Sequence, residues 1–153
     1  MVAGVAGGIA ATVTITAALT AAAPLRPTPA GAARTLSVHE TAQVRPASSN
    51  GNTTVEVGAA SGTLRGTLHF SSNVAGAVFS FTFALQTSAG EISGSGHGRL
   101  SFGRPPYASF AGAGRVTRGT GRYAHVSGSG RFSGAEDRLT HVGSVQVQAD
   151  LRF

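Results

Sequence analysis

The sequence predicts an all-β protein, an eight-stranded antiparallel meander β-barrel preceded by an apolar leader. Apolar and polar residues alternate with a period of two through much of the chain after Thr35, short Gly-, Asn- and Ser-containing pieces separate these runs, and no long helical pattern follows the leader. Short connections force consecutive strands to be antiparallel neighbours. Eight such strands with one apolar face can close into a barrel, and a two-sheet sandwich is the alternative.

The composition fits a single turn-rich β domain. Of the 153 residues, 22 are glycine and only 12% are charged, about half the usual charged share. The net charge is +6, and every basic residue is an arginine, because the chain has no lysine. The arginines are scattered singly and are not interleaved with aromatic residues, so nucleic acid is not an expected partner. The absence of cysteine excludes disulfides and thiolate zinc sites.

Residues 1–33 are predicted to be a signal peptide with a Pro-rich linker, and residues 34–153 are predicted to be the barrel domain. Residues 2–23 carry no charge and are long enough to cross a bilayer, and three prolines follow. Small residues at 30–33 fit a cleavage site, so we expect the protein to be secreted or held in the cell envelope. No basic residue precedes the apolar run, and an uncleaved membrane anchor is therefore the alternative.

The alternation assigns side chains to an inner and an outer face. Phe79, Phe81 and Phe83 share one face of a strand, and Val145 and Val147 share one face of the last strand with Leu139 and His141. The predicted strands are, within two to four residues, 35–45, 53–59, 62–71, 76–88, 90–102, 107–118, 126–134 and 139–153. The expected lumen residues are Leu68, Phe70, Phe79, Phe81, Phe83, Leu100, Phe102, Val145 and Val147, with Tyr123 and His141 near the ends.

A short repeat supports the meander. The segment Gly96-His97-Gly98-Arg99-Leu100 recurs, with changes, at residues 112–116 and 128–132, and the copies are spaced 16 residues apart. Glycines two residues apart leave two side chains missing from one face of a strand. This permits strong coiling and close approach of neighbouring groups, as a small barrel requires.

The segment 116–134 contains Gly119-Thr120-Gly121-Arg122-Tyr123 followed by Gly128 and Gly130, and it resembles the glycine signature of the allene oxide cyclase and dirigent barrel superfamily. It is most similar to bacterial secreted members. The resemblance implies an eight-stranded barrel with an apolar lumen, often assembled as a homo-oligomer. Cyclases of that superfamily close a fatty-acid epoxide to a cyclopentenone, whereas dirigent members steer phenoxy-radical coupling. The matched segment carries no catalytic residue of the family.

No catalytic or metal centre is identifiable from spacing. The five histidines do not form His-x-His or His-x-x-x-His pairs, and no Gly-x-Ser-x-Gly elbow occurs. Glu136 and Asp137 are expected in a solvated turn, and Glu91 on an outer polar face. His141 lies on the apolar face of the last strand, where it is either a solvated rim residue or an acid/base contact in the lumen. We expect no metal and no cofactor.

The sequence therefore favours a secreted, non-catalytic barrel that binds a small apolar or aromatic ligand in its lumen. The expected ligand contacts are Phe79, Phe81, Phe83, Phe102, Tyr123 and His141, although ordinary core packing would explain the same pattern. A cyclase or isomerase acting on an oxidised, lipid-like substrate is a second hypothesis. A third is an envelope protein whose Arg99, Arg115 and Arg131 bind acidic cell-wall polymers.

Overall fold

The computed structural model describes residues 34–153, which form one closed barrel of eight antiparallel strands. Each strand pairs with the next in sequence, and the last strand pairs with the first. The strands are β1 (Thr35–Asn50), β2 (Thr53–Gly62), β3 (Gly66–Ala75), β4 (Val78–Thr87), β5 (Gly90–Phe102), β6 (Tyr107–Gly119), β7 (Ser127–Asp137) and β8 (Val142–Arg152). The all-β meander barrel is therefore confirmed, and the two-sheet sandwich is excluded. The predicted signal peptide and linker lie outside the described residues.

The largest boundary differences lie in β1 and β8. Strand β1 continues to Asn50 because a register shift between Pro46 and Ser48 accommodates the proline and lets pairing with β2 resume. Strand β8 begins at Val142 because a turn precedes it, in which the backbone N–H of His141 donates to the Asp137 carbonyl. The expected inward position of Leu139 is wrong, since this turn leaves the side chain 80% exposed.

The two ends of the barrel differ. The end called here the hairpin end carries the β1–β2, β3–β4, β5–β6 and β7–β8 turns. The opposite end, called the terminal end, carries the β2–β3, β4–β5 and β6–β7 connections, the start of β1 and the end of β8. At the terminal end a short 3-10 helix, Gly121–Tyr123, lies between β6 and β7. Its Tyr123 ring is buried and lies 6.2 Å from the Phe153 ring, so the end is covered. Within residues 34–153, no helix is long and apolar enough to cross a membrane.

The core consists of two clusters inside the ring. The cluster nearer the terminal end is aliphatic, and the other cluster is aromatic. The buried residues of the first are Val38, Ala42, Val44, Ala60, Leu64, Leu85, Ile92, Val116, Tyr123, Val126 and Leu151. Those of the second are Phe79, Phe81 and Phe132, against which Phe70, Phe83, Phe110, Val145 and Val147 pack.

The repeat glycines make room for the aromatic cluster. In the β4–β5 ladder, Phe79, Phe81 and Phe83 lie directly opposite Gly98, Gly96 and Gly94. A Cβ atom at Gly96 would lie only 2.5 Å from Cζ of Phe81, and one at Gly98 would lie 2.6 Å from Cζ of Phe79. Each ring thus lies over a glycine of the next strand, a cross-strand arrangement that packs well without a side chain on the second strand.

Candidate functional site

The barrel encloses a cavity of about 270 Å³. Most of its wall is apolar, and the aromatic cluster forms one side of it. Wall residues near the terminal end, such as Leu64, Ile92 and Leu151, are buried, whereas Pro46 and His141 at the hairpin end are exposed. The cavity therefore opens toward the hairpin end.

Three ionisable side chains lie at this opening on three different strands or turns. Glu56 comes from β2, Glu136 from the end of β7 and His141 from the β7–β8 turn, and all three line the cavity. His141 Nδ1 lies 3.2 Å from Glu136 Oε1, with the histidine side chain 61% exposed. The expectation that Glu136 sits in a solvated turn is wrong, because β7 continues through it and the residue is half-buried.

The backbone of the β7–β8 turn places His141. Its φ of 55° lies in the left-handed region, which a non-glycine residue rarely adopts. The carboxylate of Asp137 stabilises the turn, since it accepts the backbone N–H groups of Leu139 and Thr140 at 2.8 and 3.3 Å. Gly143, the next inward position of β8, pairs with Val44 of β1 and Glu136 of β7 and places no side chain between them.

The environment of Glu56 raises its pKa to about 7. Burial among apolar wall residues is the largest cause, because it disfavours the charged carboxylate. The negative charge of Glu136 acts in the same direction, whereas His141 opposes it. Near neutral pH this carboxyl group is therefore present in both forms, and it can donate a hydrogen bond as well as accept one.

Glu40 is a second carboxyl group in the wall, nearer the terminal end. Its side chain is 8% exposed, and one oxygen accepts the backbone N–H of Leu64 from the β2–β3 turn. The other oxygen, Oε2, is buried and has no hydrogen-bond partner among the described residues. Burial raises the pKa of Glu40, although the backbone N–H groups of Leu64 and Thr63 oppose the shift. The cavity therefore has a carboxyl group toward each end.

The structure brings together most, but not all, of the predicted ligand contacts. Phe79, Phe81, Phe83 and His141 line the cavity. Tyr123 does not line it and instead packs in the aliphatic cluster that covers the terminal end. The lumen position expected for Phe102 is wrong. The β4–β5 ladder ends at Val78 opposite Arg99, so β5 extends beyond its β4 partner and leaves Phe102 57% exposed.

The carboxyl groups of the wall were not predicted from the sequence. Glu40 could have been found, because it shares its face with Val38, Ala42 and Val44, all of which are buried. Glu56 gives no such signal. The valines on either side of it favour the opposite orientation for β2, in which the glutamate would face solvent.

The arginines considered for acidic polymers are exposed, and Arg131 also borders the cavity. Arg99, Arg115 and Arg131 are exposed on β5, β6 and β7, and Arg131 pairs with Ala113, two residues from Arg115. Among residues 34–153, no arginine lies within ion-pair distance of a carboxylate, and no group of three His, Asp or Glu side chains is placed to hold a metal ion.

No family model, no curated protein and no solved structure matches this chain at a significant level. The class of protein is therefore described from its fold and its cavity. It is a closed eight-stranded antiparallel barrel with an apolar lumen, buried carboxyl groups and an opening at one end.

Proposed function

We propose that this chain is an exported binding protein that holds one small, neutral, largely apolar molecule in the barrel lumen. The observation that carries the proposal is the cavity of about 270 Å³ with its apolar wall. A small apolar pocket with a few convergent polar groups is the usual form of a ligand site. Export is supported by the uncharged apolar residues 2–23 of the sequence.

The volume limits the size of the ligand. An engineered cavity of about 150 Å³ holds one benzene molecule, so 270 Å³ suits a molecule with about two aromatic rings or an aliphatic body of similar size. The rings of Phe79, Phe81 and Phe83 form one wall and favour a flat or aromatic body that can stack against them.

The carboxyl groups limit its charge. Glu40, Glu56 and Glu136 would repel an anionic ligand whenever they are ionised. A neutral ligand avoids this repulsion, and a carbonyl oxygen on it would accept a hydrogen bond from protonated Glu56. A hydroxyl group could instead donate to Glu40 Oε2, which lacks a partner.

The test is titration of the full chain with a neutral naphthylamine dye and, separately, with an anionic naphthalene sulfonate. We expect the neutral dye to gain fluorescence on binding at neutral pH and the anionic dye to bind at least tenfold more weakly, by about 1.4 kcal/mol or more. Equal binding of both dyes would contradict a site lined by carboxylates.

A matched pair of variants locates the dye. Ala60 lines the cavity, whereas the adjacent Ala59 is exposed on the outer face of β2. Ala60→Phe should fill part of the cavity and weaken dye binding roughly tenfold or more, because the ring occupies the ligand volume. Ala59→Phe should leave the affinity unchanged. Thermal melting of both variants checks that the barrel is intact, and equal dye binding by two folded variants would place the dye outside the lumen.

A second function, acid–base catalysis of a cyclisation or isomerisation, is favoured by Glu56. A carboxyl group with a pKa of about 7 inside an apolar cavity is suited to donate and accept a proton near neutral pH. The resemblance of residues 116–134 to the allene oxide cyclase superfamily supports a neutral epoxide of an oxidised lipid, short enough for the cavity, as the substrate class.

The catalytic proposal is tested by incubating the chain with such an epoxide and measuring the products. We expect turnover by the wild type and a loss of at least about 100-fold in Glu56→Gln. Retained dye binding by Glu56→Gln would show that the lumen is intact. Turnover that survives the substitution would exclude Glu56 as the acid, and no turnover with tight dye binding would leave the binding protein as the supported function.

A further inference from the structure

Most of the exposed large apolar side chains among the described residues lie at the hairpin end, and Phe153 at the terminal end is 37% exposed. Val78, Phe102, Tyr107 and Leu139 are 46%, 57%, 60% and 80% exposed, and they belong to the β3–β4, β5–β6 and β7–β8 hairpins. At the terminal end, the apolar residues of the connections point inward. Those residues are Leu64, Tyr123 and Val126, and all are buried.

Two of the exposed hairpins form one ordered surface. The backbone N–H of Arg138 in the β7–β8 turn donates to the Pro106 carbonyl of the β5–β6 turn at 2.9 Å. The Arg138 guanidinium also lies over the Phe102 ring, 5.3 Å from its centroid. Tyr107 pairs with Asp137 in the β6–β7 ladder. The apolar groups are thus fixed beside one another rather than scattered over independent loops.

The exposed charges of these two turns are positive, whereas Glu136 and Asp137 at the end of β7 are half-buried. Arg104 and Arg138 lie in the same two turns and are exposed. The nearby acids point elsewhere, since the Asp137 carboxylate binds backbone N–H groups of its own turn and Glu56 and Glu136 face the cavity. A surface that combines exposed Phe, Tyr and Leu with arginines matches the interface of an anionic bilayer, where aromatic rings lie at headgroup level and cations meet phosphates.

We propose that the hairpin end docks on an anionic lipid bilayer. Phe102, Tyr107 and Leu139 enter the interface, and Arg104 and Arg138 contact headgroup phosphates. The cavity opens at this same end, so docking turns the lumen toward the lipid. A neutral apolar ligand then passes between bilayer and barrel with little exposure to water, a statement that rests on the proposed ligand-binding function.

The test uses tryptophan as a position marker, because the chain contains none. Leu139→Trp labels the hairpin end, and Ser88→Trp labels an exposed position in the β4–β5 turn of the terminal end. Each full-length variant is mixed with phosphatidylcholine vesicles containing about one third phosphatidylglycerol, with and without brominated acyl chains. We expect a blue-shifted emission that is quenched by bromine for L139W and an unchanged, unquenched emission for S88W.

The marker separates docking of the barrel from binding through residues 1–33. If the leader alone held the chain on vesicles, the L139W side chain would stay in water and escape quenching, which would overturn the proposal. Quenching of both variants, or of S88W alone, would overturn it too, because the hairpin end would not be the docking face. If the hairpin end binds only an apolar protein partner and no lipid, brominated lipid would not quench L139W, and the proposal would again be overturned.

The charge contribution is measured with Arg104→Gln combined with Arg138→Gln. Each arginine is expected to strengthen partitioning to the anionic vesicles about fivefold, so the double variant should partition at least tenfold more weakly. Arg65→Gln, an exposed arginine of the β2–β3 turn at the terminal end, is the control and should not change partitioning. Equal losses of partitioning in the double variant and in Arg65→Gln would contradict docking through the hairpin end. Dye binding in vesicle-free solution tests the lumen separately, so the two proposals can fail independently.

Discussion

At Glu56 the barrel holds a carboxyl group opposite Phe70 of the β2–β3 ladder, on the apolar wall of the cavity. The folded protein raises its pKa from 4.5 to about 7, whereas an unfolded chain would return it toward the ordinary value. The folded state therefore binds this proton more tightly than the unfolded state. The resulting stabilisation is complete below pH 4.5 and is lost as the pH rises through about 7.

The substitution Glu56→Gln removes this titration while keeping the shape of the side chain. We expect the variant to exceed the wild type in unfolding free energy at about pH 8 by about 1–2 kcal/mol, a value reduced for partial solvent screening, and to lose this advantage near pH 4. Urea unfolding at several pH values measures the difference.

Glu91→Gln is the matched control, since this carboxyl group belongs to β5 and does not line the cavity. Because Glu56 is still present, this variant should lose stability as the pH rises through about 7, as the wild type does. A Glu56→Gln profile that is also parallel to the wild type from acid to mildly basic pH would show that the cavity does not perturb this carboxyl group.

At the scale of elements, strand β5 alternates inward glycines with outward polar residues, so one pattern suits both of its faces. Gly94, Gly96 and Gly98 face inward and pack against the rings of β4, while the alternate residues Ser95, His97 and Arg99 are exposed outside. The same pattern recurs in β6 and β7, where Phe132 lies over Gly112 and Phe110 over Gly134. The aromatic cluster therefore consists of rings on one strand that pack over glycines on the next strand.

The substitution Gly98→Ala tests this arrangement. The added Cβ would lie 2.6 Å from Cζ of Phe79 and 2.8 Å from the Ala111 carbonyl oxygen, so the ring must move. We expect a loss of about 2–4 kcal/mol in unfolding free energy, measured by urea or thermal denaturation. In the Phe79→Leu background the added methyl should cost about 1 kcal/mol less, because the smaller side chain can yield.

Gly103→Ala is the reference substitution, because it replaces a glycine at a position where an added Cβ causes no clash. This residue lies in the β5–β6 turn, and an added Cβ meets nothing within 4 Å. Its effect should stay within about 0.5 kcal/mol. If Gly98→Ala proves as harmless as Gly103→Ala, the close packing of rings on glycines is not what holds β4 against β5.

The same elements show what could be predicted from the sequence. The inner face of β4 was predictable because three phenylalanines alternate with Ser80 and Thr82 on the other face. The orientation of β2 was not, since Val55 and Val57 flank Glu56 and only the register with β1 and β3 turns the glutamate inward. The exposure of Phe102 also depends on pairing, because it follows from where β4 begins.

For the whole molecule, closure of the ring decides stability. Strand β8 pairs with β1 from Thr35 to Val44 and with β7 along its full length, so no strand of the barrel is a free edge. The aliphatic cluster draws residues from both sides of the closing seam, such as Val44 of β1 and Leu151 of β8. The enclosed lumen exists only when this seam is formed.

Two truncations test the importance of closure. Removal of residues 142–153 deletes β8, exposes the edges of β1 and β7, and takes Val145, Val147 and Leu151 from the core. We expect the shortened chain to lose the cooperative thermal transition and the β signal in circular dichroism, because an opened barrel leaves unpaired backbone and apolar surface in water. Removal of residues 1–33 should leave the melting temperature within about 3 °C of the full chain, since strands β1–β8 by themselves close the ring. A chain that still melts cooperatively without β8 would mean that seven strands suffice, and the cavity would then not depend on closure.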